Sequence, residues 1–392
     1  MLKRIRTQYE HTLYACYIGY ITQAIVNNFA PLLFLTFMAR YHLGLDQITL
    51  ITTLNFLVQL VVDLLSTRVI DRVGYRASVL FAHLMAALGM AGLAVLPALL
   101  GSAYAGILLS VVCYAVGGGI IEVLISPIVE ACPTAKKEAA MSLLHSFYCW
   151  GHLAVVLLST LFFTLFGIEN WGILAVLWAL VPLFNLFYFT LVPIYPIVSE
   201  GEQRPLGSLL KSRVFWLVVV LMVCAGASEQ AMSQWASSFA ESALHVSKTV
   251  GDLAGPCAFA LTMGTARALY GSFSEKIPLK KAIIASAMLC IVCYLVAVFS
   301  PNPVFGLLGC AVTGFSVGIF WPGTFSTAAI QSPGGGTAMY ALLALAGDLG
   351  CSGGPTVVGL VANANGGSLK SGLLVAILFP ALILVCINRL KE

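Results

Sequence analysis

A series of long apolar runs limits most strongly what this chain can fold into. Crossing a bilayer takes ~20 consecutive, mostly apolar residues. Such runs lie near 13–38, 47–69, 77–99, 103–129, 139–166 and 171–195, then near 214–240, 249–272, 280–299, 304–326, 336–362 and 370–388. The polar stretch Ser199–Arg213 separates the two sets. The expected fold class is an all-α membrane protein of twelve transmembrane helices. An N-terminal six-helix bundle would cover 1–198, a cytoplasmic linker 199–213 and a C-terminal six-helix bundle 214–392. Only 9% of the residues are charged, against roughly 25% in soluble domains. Lys3, Arg4 and Arg6 precede the first run, which continues past Asn27 and Asn28 to Met38. That is too long for the core of a cleaved signal peptide and reads as a retained span.

Orientation follows from the cations in the short loops. Of the 20 Lys and Arg residues, Arg40, Lys248 and Lys370 fall in one set of loops and Arg267 inside a span; all the others fall on the opposite side. Both termini are therefore expected in the cytoplasm of a multi-pass cell-membrane protein. The eleven cysteines lie almost entirely inside apolar runs, where thiols act as small packing groups. Cys290 and Cys293 have redox-motif spacing but no neighbouring His or acid. No metal site, cofactor or disulfide framework is expected.

The chain also repeats itself. The loop Thr67-x-x-x-Asp71-Arg72-x-Gly74-x-Arg76 is echoed 204 residues later by Gly271-x-x-x-Glu275-Lys276-x-x-x-Lys280. Ala140-Met141 returns as Ala338-Met339, and Gly119-x-x-Glu122 aligns with Gly318-x-x-Trp321. Two related halves of six spans explain all three matches.

On these residues the whole chain resembles the major facilitator superfamily, whose loop signature is the acidic-basic-glycine-basic pattern seen twice here. Thr67 departs from it, standing where glycine is usual. A narrower likeness links Gly117-x-Gly119-x-x-Glu122 with Ser126-Pro127, Ser146-Phe147 with Gly151, and Asn27-Asn28 with Pro31 to the fucose permease group of sugar:proton symporters. Asn28 stands where that group has an aspartate implicated in proton coupling, and Ser126 replaces its asparagine. The resemblance implies two pseudo-symmetric bundles, alternating access, and a cavity lined by spans 1, 2, 4, 5, 7, 8, 10 and 11. It implies a sugar as cargo and a proton, or sodium, as coupling ion.

Ionisable groups inside a membrane are costly and read by default as functional. Asp63, Glu122, His145, His152, Glu229, Arg267 and Asp348 all fall on the implied lining spans, and His83 on span 3 is the exception. Glu122, Glu229 and Asp348 are the proton-coupling candidates. A substrate site is expected from Gln23, Asn27, Asn28, Asn55, Gln59, Glu122, His145, Tyr148, His152, Glu229, Gln234, Trp235 and Trp321. Amides and carboxylates suit hydroxyls, and indoles cover an apolar sugar face. Each has a plainer reading as polar glue between helices. Arg267 could pair with Asp348, or snorkel towards the inner loop. Asp71, Arg72, Gly74, Arg76, Gly271, Glu275, Lys276 and Lys280 form the expected gating motif, their cations within reach of acids or membrane lipid phosphates. No nucleic-acid partner or enzymatic constellation is indicated, and a monomer is expected. The alternative within the fold is a drug or metabolite exporter.

Overall fold

The computed structural model describes residues 2–134, 137–195, 209–273, 277–332 and 336–390. It is a twelve-helix bundle protein, and it separates into two compact units. Unit 1 comprises Met1–Leu43 with Leu54–Ser199; unit 2 comprises Gly44–Thr53 with Glu200–Glu392.

The first six spans are α1 (Tyr9–Asn28), α2 (Leu45–Val73), α3 (Tyr75–Leu99), α4 (Ala103–Ala131), α5 (Lys137–Phe166) and α6 (Trp171–Leu191). α1 is extended by a 3-10 turn, Ala30–Leu33, and a further helix, Phe34–Tyr41. Pro31 at the start of that turn explains the change of pitch, since it has no N–H to continue the α-helical ladder. The last six are α7 (Arg213–Ser233), α8 (Ala258–Phe273), α9 (Leu279–Phe299), α10 (Pro303–Val317), α11 (Gly336–Ala364) and α12 (Leu369–Ala376). Several are interrupted. α7 resumes as Ala236–Leu244, α10 as Phe320–Gln331 and α12 as Leu378–Arg389. α8 is preceded by Lys248–Asp252 and a π-helical turn, Leu253–Cys257. Among the described residues ten segments are long and apolar enough to cross a membrane by length and composition; the helices of 248–273 and 336–364 are the two that complete twelve.

Each unit repeats the same local devices. The first span of each ends on a histidine in the left-handed region, His42 at φ 54° and His245 at φ 55°. The fourth begins on a polar cap: Ser102 accepts the Ala105 N–H and Asn302 accepts the Val304 N–H. Such caps satisfy amides that the first helical turn leaves free. The third begins with a cation that holds the end of the sixth. Arg76 donates to the carbonyls of Phe189 and Val192 at 2.6 and 2.9 Å, and Lys280 donates to the carbonyl of Leu390 at 2.8 Å. A cation at a helix C-terminus meets the free carbonyls and the negative end of the dipole.

Large side chains such as Leu165, Phe184, Phe187 and Phe299 stand exposed along the helices, as expected where hydrocarbon is the solvent. None of the eleven cysteines is in a disulfide, and Cys290 and Cys293 are both buried. The N-terminal end of α2 packs within unit 2 on a small-residue face of α11. The Thr53 and Thr356 hydroxyls hydrogen-bond there, and a Cβ on Gly359 would lie 2.1 Å from the Thr49 hydroxyl. Small residues allow membrane helices this approach.

Candidate functional site

Unit 1 holds a buried polar core built on α1, α2 and α4. Tyr20, Gln23 and Asn27 recur at spacings of three and four, so they share one face of α1. Glu122 and Ser126 share the opposing face of α4 by the same rule. Gln23 Nε2 donates to Glu122 Oε2 and to Gln59 Oε1, both at 2.8 Å. Gln59 Nε2 donates to Asn27 Oδ1 at 2.9 Å, and Asn55 Nδ2 donates to the same oxygen at 3.1 Å. The Tyr20 and Ser126 hydroxyls hydrogen-bond at 3.2 Å. Asn28 turns back onto its own helix, donating to the Ala24 carbonyl at 2.9 Å.

Three consecutive glycines let α4 come this close. A Cβ on Gly117 would lie 2.5 Å from the Ala82 carbonyl oxygen of α3. One on Gly118 would lie 2.9 Å from Gln23 Oε1 of α1, and one on Gly119 would lie 3.1 Å from the Gln59 Cα of α2. Each glycine thus faces a different helix, and together they seat Glu122 against the amides.

The core has a direction. Both Gln23 N–H groups and both Gln59 N–H groups are engaged, counting the 3.4 Å bond from Gln59 to the Asn55 carbonyl. Gln23 Oε1 and Asn55 Oδ1 are buried and have no hydrogen-bond partner among the described residues. The N–H groups of Gln23 and Gln59 are committed while two amide oxygens are left over, so this part of the core is suited to a group that donates.

The α5 candidates are less concentrated. His145 is exposed, with its ring 5.4 Å from that of Tyr20 in an edge-on arrangement. Tyr148 is half-buried against the apolar core of unit 1, and His152 is buried. His83, the exception on span 3, has a structural role. Its Nδ1–H donates to the Val79 carbonyl, and its Nε2 accepts from Asn185 Nδ2 at 2.8 Å. Asn185 donates also to the Ala15 carbonyl at 2.9 Å, tying α1, α3 and α6 together.

Unit 2 carries a second polar line. Gln234 Nε2 donates to Gln230 Oε1 at 3.1 Å, and Gln230 Nε2 lies 3.4 Å from Glu229 Oε1. Arg267 of α8 faces Glu229 Oε2 at 3.7 Å and donates through Nε to the Gly318 carbonyl at 3.1 Å. Arg267 is therefore the ion-pair partner of Glu229, a pairing the sequence reading did not reach. Gly318 lies where α10 breaks, so one guanidinium joins a carboxylate of α7 to the interruption of another span. Trp235, at the break in α7, is fully buried and donates its indole N–H to the Pro355 carbonyl of α11 at 3.0 Å. The Trp321 ring lies against Gly347, where a Cβ would come within 2.2 Å of it, and Asp348 beside it is buried.

Lys248, at the start of the segment that leads into α8, pairs with Glu241 at 3.4 Å and with Asp252 at 3.2 Å, and Ser237 donates to Asp252. Of the expected gating motif, Glu275 and Lys276 lie outside the described residues, as do the side chains of Asp71 and Gly271. Arg72 is exposed, and Gly74, at φ 89°, accepts the backbone turn that starts α3. Sequence reading missed Tyr20, Asn185 and the Lys248 triad. For Tyr20 the signal was present in its helical spacing to Gln23 and Asn27. Among the described residues no cluster of three or more His, Cys, Asp or Glu side chains could hold a metal.

Comparison with known proteins gives one family and several folds. The family model described as Major Facilitator Superfamily matches residues 16–386. No curated protein matches the chain by sequence. The crystal structure of the E. coli fucose:proton symporter is similar at TM-score 0.67 and 16% identity, covering 97% of this chain and 98% of that one. A D-xylose–proton symporter is similar at TM-score 0.73 and 13% identity, covering 96% and 95%. A bacterial homologue of the human lysosomal transporter Spinster follows at 0.71 and 14%, covering 97% and 94%. At these identities the likenesses establish the fold.

Proposed function

Since the chain belongs to the Major Facilitator Superfamily, we propose that this integral multi-pass membrane transporter moves a small polar solute of the monosaccharide class by alternating access, coupled to a proton. The observation that carries the reading is the unit 1 core: Gln23 bonds Glu122, and two buried acceptors of the same network, Gln23 Oε1 and Asn55 Oδ1, have no partner among the described residues while the N–H groups of Gln23 and Gln59 are engaged. A sugar hydroxyl donates to such oxygens. An organic anion would add acceptors to acceptors and be repelled by Glu122.

Glu122 is the proton carrier in this reading. A charge carried through the occluded state would be costly, and protonation removes it while the Gln23 bond persists. Glu229 and Asp348 are the further coupling candidates. His145, Tyr148, His152, Gln234, Trp235 and Trp321 complete the proposed substrate set, with sodium as the alternative ion. The two similar structures described as fucose:proton and D-xylose–proton symporters lean the same way. A drug exporter would want a wide apolar site, and the amide-rich core does not favour it. Both termini lie in the cytoplasm in this reading, which the distribution of loop cations supports.

Uptake of labelled monosaccharides into proteoliposomes, with and without an inward proton gradient, tests the proposal. Accumulation that follows the gradient and fails in Glu122→Gln supports it. Gradient-driven uptake that survives Glu122→Gln removes that residue as carrier. Absence of uptake for every sugar, together with efflux of lipophilic cations, overturns the function itself.

A further inference from the structure

At one end of unit 2 the start of α9 and the final segments of α10 and α12 enclose an open cleft of about 360 Å³. Its rim is cationic. Lys280 is held in place by its bond to the Leu390 carbonyl, and Lys281 beside it is exposed. Among the described residues neither lysine has an acidic partner; the ion pairs of unit 2 involve Lys248 and Arg267. The floor is apolar, formed by Leu279, Ile387 and Leu390, and Ile330 continues it outwards as an exposed side chain. Gln331 adds a polar side chain on one wall, while the Thr327 hydroxyl donates to the Gly323 carbonyl of its own helix. α9 begins at Leu279 with no side-chain cap, so its positive dipole end opens beside the same two lysines.

We propose that this cleft binds the headgroup of an anionic phospholipid. Among the described residues the charge is one-sided and uncompensated, which selects a phosphate. The apolar floor, continuous with an exposed apolar side chain at the end of three spans, selects a phosphate that carries acyl chains. Basic pockets at the ends of transmembrane helices hold anionic headgroups by this combination. The site belongs to unit 2. At the repeat-related position of unit 1, Arg76 engages two carbonyls, and the residue after it is Ala77 rather than a second lysine. Each bound headgroup would brace α9 against α12 by bridging Lys281 to the Lys280–Leu390 clamp. The inference needs only a membrane-embedded chain and is independent of the proposed cargo.

The test is thermal unfolding of the full chain in neutral detergent, titrated with phosphatidylglycerol, with phosphatidylcholine, or with inorganic phosphate. Phosphatidylglycerol is expected to raise the midpoint, while the other two leave it unchanged. Lys281→Gln removes a cation that makes no hydrogen bond among the described residues, so it should fold normally yet lose at least half of that rise. Lys370→Gln, remote in the sequence from the cleft, should keep it. Native mass spectrometry should show retained phosphatidylglycerol falling in parallel. Equal shifts from the two lipids, or a full shift in Lys281→Gln, overturn the site. A shift from phosphate alone as large as that from phosphatidylglycerol overturns the lipid as occupant.

Discussion

Substituting two adjacent glycines should separate the stability of the α4 packing from the function of the polar core. In Gly117→Ala the new methyl meets the Ala82 oxygen and the Ala86 nitrogen, both at 2.5 Å. Both are backbone atoms of α3, so relief requires the helices to part. Overpacking of this kind costs about 1–3 kcal/mol, only partly offset by the ~1 kcal/mol by which Ala is favoured over Gly in a helix. In Gly118→Ala the methyl meets Gln23 Oε1 at 2.9 Å and Val26 Cγ1 at 3.0 Å, the ends of side chains that can move. The Gln23 amide then leaves Gln59 and Glu122. Two hydrogen bonds between membrane helices are worth ~0.6 kcal/mol each, about what the helix propensity returns. Gly118→Ala should therefore unfold near the wild-type midpoint in detergent yet lose most sugar uptake, while Gly117→Ala should unfold well below it. Equal destabilisation of the two variants would refute the assignment of each glycine to its own neighbour. Normal uptake by Gly118→Ala would show that Gln23 is not needed where it stands.

Three further outcomes are expected. Arg267→Gln should cost about 2 kcal/mol, in line with hydrogen bonds to charged groups, and more than Glu229→Gln, because it strands a buried carboxylate. The double variant should recover part of that loss, as a thermal double-mutant cycle would read. Arg76→Ala should cost ~1 kcal/mol through the exposed end of α6, with Arg76→Lys intermediate because an ammonium cannot fork to both carbonyls.

The spans were legible because hydrocarbon imposes a length and a composition that no other solvent does. Glu122 and the amides of spans 1 and 2 were legible because polar groups stand out in such runs. Their pairing was not. Three glycines in a row announce close approach, yet nothing local tells that Gly118 meets α1 and Gly117 meets α3. The break in α7 was equally hidden: Gln234 and Trp235 are ordinary helix residues, and the deciding bond runs from the Trp235 indole to Pro355, 120 positions away. His83 looked anomalous only because Asn185, its partner, lies 102 residues further on.

The repeat itself carries a further lesson about where function can reside. Positions that shape the framework are used alike in both halves: His42 and His245 reverse the chain, Ser102 and Asn302 start a helix, Arg76 and Lys280 hold the last span. Positions at the centre have diverged. Glu122 meets amides, whereas Trp321 at the corresponding place lies on a glycine face, and the carboxylate of unit 2 has moved to Glu229 with its own arginine. A framework position is constrained by backbone geometry, which duplication preserves in both copies. A central position is constrained only by what it must hold, so one half is free to offer acceptors and a protonatable acid while the other offers a charge pair and an indole. Like frameworks can therefore carry unlike centres, because no backbone device depends on what the centre holds.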